Sequence, residues 1–323
     1  MNNIISHCID INTQYCPCLL AETNHCVFCS HLKGKITCDC NWTGVCILYE
    51  KHWQSKKNRW RDEESAPIRT EVETKFKILQ QISETAFLLE LSLPADFTNQ
   101  LNKTGAFVFL RRPQDPYFYH FPVGVMKVSN TMIQLVVETV GPKSARIFDD
   151  KEHLLLVRGP YYNGIFGQPW IDNVTHGEII LVAGGIGQAP AFAIASKLVS
   201  RGNQVLAILA PGHMGKVFIA DEMRRLGVQV HVVESLRREG MTLLKQKLSS
   251  VPDLIVSAGP DEQHYGIMEA MGNAGVNIPM AATNNATMCC GEGICGSCEQ
   301  ETRRDGRIRT CKVQTRFEEL LND

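Results

Sequence analysis

The spacing of apolar positions changes character twice along the chain. Up to about residue 60 it follows neither the helical nor the strand period, and a hydrophobic core of that size would be marginal. From Ile68 the pattern turns to period two, which sets alternate side chains on one face of a strand. Thr70 to Ile78, Phe87 to Leu93, Gly105 to Arg111, Val123 to Val128 and Met132 to Val140 read as strands, with Ser129-Asn130 as a turn and His153 to Val157 as a last strand. Short antiparallel strands with little helix predict a small β-barrel. From Glu178 apolar runs alternate with helical periods. Strands are expected at Glu178 to Ala183, Val205 to Leu209, Val228 to Val233 and Leu254 to Ala258. Helices are expected at Ala191 to Ser200, Val217 to Leu226, Thr242 to Leu248 and Glu262 to Asn273. This is a parallel sheet wrapped by helices, with its ligand at the C-terminal ends of the strands.

The 323 residues suit two or three domains, and 44% hydrophobic with 21% charged residues is ordinary globular composition. A formal net charge of −1 gives no reason to expect nucleic acid or an anionic membrane as partner. The start, Met1-Asn2-Asn3-Ile4-Ile5-Ser6, lacks the basic and then apolar run of a signal peptide, and no apolar run reaches membrane-spanning length. A cytoplasmic chain is therefore expected.

The 13 cysteines form two islands, which in a reducing compartment read as metal sites rather than disulfides. The C-terminal island is Cys290, Cys295, Cys298 and Cys311, spaced C-x4-C-x2-C-x12-C. That is the thiolate spacing of plant-type [2Fe–2S] ferredoxins. Gly291, Gly293 and Gly296 would let the loop turn its N–H groups toward a negatively charged cluster. A zinc knuckle or a disulfide pair is the alternative, but zinc favours two short hooks set apart. Cys289 lies outside the register and reads as a small buried residue. The N-terminal island is Cys8, Cys16, Cys18, Cys26, Cys29, Cys38, Cys40 and Cys46. Bound metal would supply stability that so small a core lacks. An additional iron–sulfur cluster, [4Fe–4S] by preference, is expected there, with zinc as the alternative; His7, His25 or His31 could replace one thiolate. The run Lys56 to Glu64, before Pro67, reads as a solvated linker.

Gly184-Gly185-Ile186-Gly187 leaves an apolar strand and enters a helix, where a pyrophosphate can approach backbone N–H groups. Ser257-Ala258-Gly259-Pro260 ends a later strand of the same sheet. Together they predict dinucleotide binding. His213 and His264 are expected on the same side, as surface histidines in loops. A nicotinamide gives up two electrons at once and a [2Fe–2S] cluster accepts one, so a flavin should stand between them, and the barrel is the domain left to hold it.

The order of barrel, Gly-Pro-x-x-Asn-Gly-x-Phe loop, Gly-Gly-x-Gly-x-Ala-Pro loop, Gly-Pro loop and C-terminal cysteines resembles the dihydroorotate dehydrogenase electron-transfer subunit family. It is also similar to the small subunits of sulfide dehydrogenase and of NADH-dependent ferredoxin:NADP oxidoreductase. The resemblance covers about residues 68 to 323. It implies a multidomain α+β, ferredoxin-reductase-like chain, in which the barrel holds FAD, the Rossmann-like α/β domain holds NAD(H) or NADP(H), and a partner redox subunit meets the chain near the cluster. It further implies that Ser144, Gly159, Pro160, Asn163, Gly164 and Phe166 line the flavin. Gly184, Gly185, Gly187, Gly259 and Pro260 would line the nicotinamide nucleotide. The chain departs from the family at an Arg-Pro-x-Ser motif that holds the FAD pyrophosphate: Phe121-Pro122-Val123-Gly124 falls in its place. The N-terminal cysteine region is a second departure.

Domains are thus expected at residues 1–64 (metal), 65–170 (flavin barrel), 171–280 (nucleotide) and 281–323 ([2Fe–2S]). The expected function is that of a soluble electron-transfer subunit of a hetero-oligomeric oxidoreductase, with no side chain acting as general acid or base. A non-catalytic redox sensor or assembly adaptor, and a stand-alone reductase, are the alternatives. Arg237-Arg238 would suit a 2′-phosphate, but their position past the third α/β strand favours NADH.

Overall fold

A computed structural model describes residues 6–10, 13, 15, 69–149, 152–293 and 295–321. The linker reading at 56–64 and every N-terminal cysteine except Cys8 lie outside the described residues. The first strand, β1 (His7–Cys8), belongs with the C-terminal end of the chain and is taken up there.

The period-two stretch folds as a closed antiparallel barrel. Its strands are β2 (Thr70–Gln81), β3 (Ala86–Ser92), β4 (Phe107–Arg111), β5 (Phe121–Ser129), β6 (Met132–Glu138) and β7 (Leu154–Tyr161), in the order β2-β3-β6-β5-β4-β7. Alternation fixes the register: Leu89 pairs with Leu135 and Leu91 with Ile133, and all four side chains are fully buried inside the barrel. β2 runs three residues past its expected end, across a bulge between Ile78 and Gln80. Gly105 lies outside β4; its φ is +74°, and a Cβ there would stand 2.9 Å from the Tyr162 carbonyl. A helix not expected from the sequence, α1 (Ala95–Leu101), follows Pro94 and buries Phe97, Thr98 and Leu101 against the barrel.

The second domain begins with β8 (Ile165–Phe166) and α2 (Gln168–Asn173). It continues through β9 (Glu178–Gly184), α3 (Gln188–Ser200), β10 (Gln204–Ala210), α4 (Ala220–Arg225), β11 (Gln229–Val232), α5 (Met241–Lys247), β12 (Leu254–Ala258), α6 (Asp261–Asn273) and β13 (Met280–Thr283). The sheet order is β11-β10-β9-β12-β13-β8, parallel except for the edge strand β8. The chain order reverses between β9 and β12, and a crevice opens there beyond the strand ends. α4 is shorter than the apolar period suggested. The Gln188 side chain donates to the Lys216 carbonyl at 3.0 Å and accepts from the Phe218 N–H at 2.9 Å, so those backbone groups are satisfied outside a helix.

The C-terminal part holds a hairpin, β14 (Glu299–Thr302) with β15 (Gly306–Arg309), and β16 (Val313–Gln314). β16 pairs antiparallel with β1, His7 against Gln314 and Cys8 against Val313. The start of the chain is therefore a strand of the cysteine-bearing end. No helix among the described residues is long and apolar enough to cross a membrane.

Candidate functional site

The barrel rim and the crevice of the parallel sheet share one cleft of about 1460 Å³. That exceeds the ~300–1,000 Å³ of a pocket for one small ligand. Gly184, Gly185 and Gly187 line it at the end of β9, and Gly259 and Pro260 at the end of β12. Gly187 has no room for a side chain: a Cβ would stand 2.2 Å from the Ala258 carbonyl oxygen, so the two glycine-bearing turns touch. Glu234, Ser235 and Arg237 line the far end beyond β11, whereas Arg238 does not reach the cleft.

On the barrel side Ser144 and Gly164 line the cleft, together with Phe107, Phe121, Pro122, Val123, Gly124 and Lys143. Ser144 opens a 3₁₀ turn and its Oγ accepts from the Gly141 N–H at 3.3 Å. A Cβ at Gly124 would meet nothing within 4 Å among the described residues. Arg111 and Arg112 turn elsewhere, to Glu71 and to Asp115. The rim is thus an apolar bed with Lys143 as its nearby cation. These residues fit a flavin ring by shape and leave its pyrophosphate to Lys143 and backbone N–H groups.

The other residues of the Gly159 to Phe166 loop sit away from the cleft. Asn163 is fully buried; its Nδ2 donates to the Thr310 and Val313 carbonyls at 2.5 and 2.8 Å, and its Oδ1 accepts from Gln314 at 3.0 Å. Phe166 is buried in β8 with its ring 6.3 Å from that of Phe317. Gly159 packs on Val108 and Phe97, and the Pro160 carbonyl accepts from Arg69. This loop therefore fastens the barrel to the cysteine-bearing end.

There, Cys298 and Cys311 are buried, Cys290 is half-buried and Cys295 is exposed beside Ser297, 3.2 Å away. The Cys311 thiol shares hydrogen bonds with those of Cys290 and Cys298, and these with burial push it well above its ordinary pKa. The bond from Cys311 holds the Cys298 thiol down, to about 7. Three of the four expected ligands thus converge and Cys295 stands outside them; among the described residues no three His, Cys, Asp or Glu side chains stand at metal-binding geometry. Gly291, Gly293 and Gly296 have φ of +71°, +70° and +79°, the left-handed turns that the spacing argument required. Cys289 is exposed, not buried as expected, because the turn that brings Cys290 inward points its neighbour outward.

Two features of this end have no local sequence signal. The first is a quartet of charges. Asp10 is fully buried and bonds Arg69 at 2.5 Å and the Lys312 ammonium; Glu292 accepts from Lys312 at 2.8 Å and from Arg69 at 3.1 Å. Burial works to raise the Glu292 pKa, but Lys312 and Arg69 overcome it and hold the carboxyl down to about 2. The second is an apolar bridge. Phe107, Phe109, Tyr161 and Met288 pack with Cys298 and Cys311, and Phe107 and Met288 also line the cleft. Cys8 packs in a different apolar cluster, with Ile308, Val313 and Phe317.

One of the two histidines departs from the sequence reading. His264 lies on α6 and is fully buried, its Nδ1 2.6 Å from Ser257 Oγ and its Nε2 3.2 Å from the Thr283 carbonyl. Burial lowers its pKa to about 4. It fills the space beneath the Gly259 turn, a packing role that a surface histidine would not have. His213 is exposed, as expected, but bonds Glu138 Oε1 at 2.6 Å and so joins the nucleotide domain to the barrel across the cleft.

No family model matches the chain. The chain is similar to the probable dihydroorotate dehydrogenase B (NAD(+)) electron transfer subunit of Thermococcus kodakarensis, with 30% identity over 195 residues, 57% of this chain and 74% of that one. It is similar to the corresponding subunit of Clostridium perfringens, with 25% identity over 240 residues, 72% of this chain and 92% of that one. A relative of the same description from Methanopyrus kandleri is matched over 62% of its length, less than two thirds. The fold is similar to that of an NADH-dependent reduced ferredoxin-NADP oxidoreductase, with a TM-score of 0.60, 20% identity, and coverage of 76% of this chain and 90% of that one.

Proposed function

The chain belongs to the dihydroorotate dehydrogenase B electron transfer subunit family, and from that membership we propose that it passes electrons between a nicotinamide nucleotide and a partner redox subunit. FAD in the barrel and a [2Fe–2S] cluster on Cys290, Cys295, Cys298 and Cys311 would be its carriers. The observation that carries the reading is the joint cleft: one cavity runs from the glycine turns to the barrel rim, and Phe107 and Met288 carry its wall to Cys298 and Cys311.

A flavin, when bound, accepts the electron pair of a hydride and releases electrons singly. The chain's part is positional. Gly184, Gly185 and Gly187 bring a pyrophosphate against backbone N–H groups at the start of α3. Gly259 and Pro260 hold the nicotinamide end toward the barrel rim, so that stacking geometry does the work of catalysis. Phe107, Phe109, Tyr161 and Met288 exclude water between the two redox sites. At the far end Glu234 lines the cleft as Arg237 does, and a carboxylate there disfavours a 2′-phosphate and favours NADH over NADPH. Losing the Arg and Ser of the usual pyrophosphate motif removes charge-assisted bonds of ~1.5–3 kcal/mol each, so FAD is held more weakly than in relatives that keep them.

One observation favours the second reading, a redox sensor or assembly adaptor: Phe121 and Gly124 line the cleft where those two side chains would serve. Anaerobic stopped-flow decides between them. Flavin bleaching by NADH followed by the EPR signal of a reduced [2Fe–2S] cluster supports the electron-transfer reading, and a chain that neither carries nor binds FAD refutes it. For the N-terminal island, Cys8 to Cys46, we retain the proposal of a further metal site, [4Fe–4S] or zinc, that extends the electron path or docks the partner.

A further inference from the structure

Arg158, on β7, is only 7% exposed and has an unusual set of neighbours. Its guanidinium lies over three aromatic rings, Tyr117 at 4.9 Å, Phe109 at 5.0 Å and Tyr161 at 5.7 Å. One Nη donates to the Tyr117 hydroxyl, and the other to the backbone carbonyl of Cys290 at 3.3 Å. Among the described residues its Nε has no hydrogen-bond partner.

The contrast with the other cations beneath the same loop is informative. Arg69 and Lys312 are matched by Asp10 and Glu292, two positive charges against two negative ones. Among the described residues no carboxylate forms an ion pair with Arg158. A buried unpaired cation is costly, and ring faces return only ~0.5–2 kcal/mol of that. The fold nevertheless keeps a full positive charge against the peptide of an expected cluster ligand. Each electron that enters an iron–sulfur cluster adds one negative charge to it. A fixed cation at this position stabilises the reduced form more than the oxidised form, and net charge near the cluster is one of the terms that set its potential.

We propose that Arg158 sets the reduction potential of the [2Fe–2S] cluster, raising it above the value the same four thiolates would give alone. Electron flow from the flavin toward the cluster is thereby favoured. This rests on the cluster reading given above.

The test is an EPR-monitored redox titration of the full chain after anaerobic reconstitution. Arg158→Gln removes the charge and keeps a hydrogen-bond donor. It should lower the midpoint so that the one-electron equilibrium shifts at least tenfold, ~59 mV for a one-electron couple. Arg158→Lys should shift it less. Tyr117 is 61% exposed and touches the guanidinium, so Tyr117→Glu neutralises the charge with Arg158 still in place. It should lower the midpoint in the same direction, while Tyr117→Gln should not. This pair keeps the test available if Arg158→Gln does not assemble. A cluster of normal occupancy whose midpoint is unmoved in Arg158→Gln or Tyr117→Glu overturns the role of Arg158 alone. A wild-type chain with no [2Fe–2S] signal overturns the cluster reading and this inference with it.

Discussion

Asp10 is the residue whose removal should reveal how the N-terminal segment supports the cysteine-bearing end. It is fully buried, bonds both Arg69 and Lys312, and lies two residues after β1. Asp10→Ala leaves two buried cations sharing Glu292, whose side chain is 29% exposed against 1% for Lys312 and 5% for Arg69. Breaking a buried ion pair by removing one partner costs about 3–5 kcal/mol, because the remaining charge stays buried. For a domain of ~150–250 residues, each kcal/mol shifts the melting midpoint by ~2–4 °C. The expected loss is therefore roughly 6–20 °C. The assay is thermal and urea unfolding of the full chain, followed by far-ultraviolet circular dichroism and by visible absorbance of the reconstituted cluster. Combining Asp10→Ala with Lys312→Met removes one anion and one cation and leaves the Arg69–Glu292 pair. It should recover most of the loss, giving strong positive coupling in a double-mutant cycle. A loss under ~1 kcal/mol in Asp10→Ala, or two single effects that simply add, would refute the reasoning.

Three further outcomes are expected. Cys311→Ser and Cys295→Ser should abolish the visible and EPR signals of a [2Fe–2S] cluster, while exposed Cys289→Ser retains them; a full signal in either of the first two rules out the ligand set. Gly187→Ala puts a Cβ 2.2 Å from the Ala258 carbonyl, and should weaken NADH binding at least tenfold in titration calorimetry with flavin content unchanged. His264 takes its proton near pH 4 in the folded chain, held low by burial, which outweighs the opposite pull of Asp261 and Glu262, whereas an unfolded histidine takes it near 6.5. The unfolded state thus binds more protons between those values. Stability therefore falls as pH drops from ~6.5 toward ~4, by up to ~3 kcal/mol, and is flat with respect to this group above ~7; melts of His264→Gln across that range should lose this part of the slope.

The sequence carried those elements whose signal is local. Period two between Thr70 and Val140 marked the barrel, apolar runs before glycine turns marked the parallel sheet, and four cysteines at fixed spacing marked a thiol loop whose glycines do take positive φ. Contacts between distant segments leave no such trace. Asp10 and Lys312 are 302 residues apart, and nothing near either one indicates a partner. β1 is two residues long, too short for periodicity, and exists because β16 offers it an edge. The surface reading of His264 failed because burial depends on what packs over the helix: its partners Ser257 and Thr283 lie on β12 and β13.

The loop from Gly159 to Phe166 shows where a motif stops informing. Its type was recognisable, yet only Gly164 of its expected flavin residues lines the cleft. Asn163 uses both ends of its amide on Thr310, Val313 and Gln314, beside Cys311. Gly164 must lack a side chain because a Cβ would stand 2.7 Å from the Gly105 carbonyl. Both facts serve one geometric end: the last barrel strand is held against the thiol loop. With β7 fixed there, Arg158 and Tyr161, which flank Gly159-Pro160 in that strand, are carried beneath Cys290 and Gly291. The position of a charge relative to the thiols is then set by backbone packing and not by the motif residues themselves.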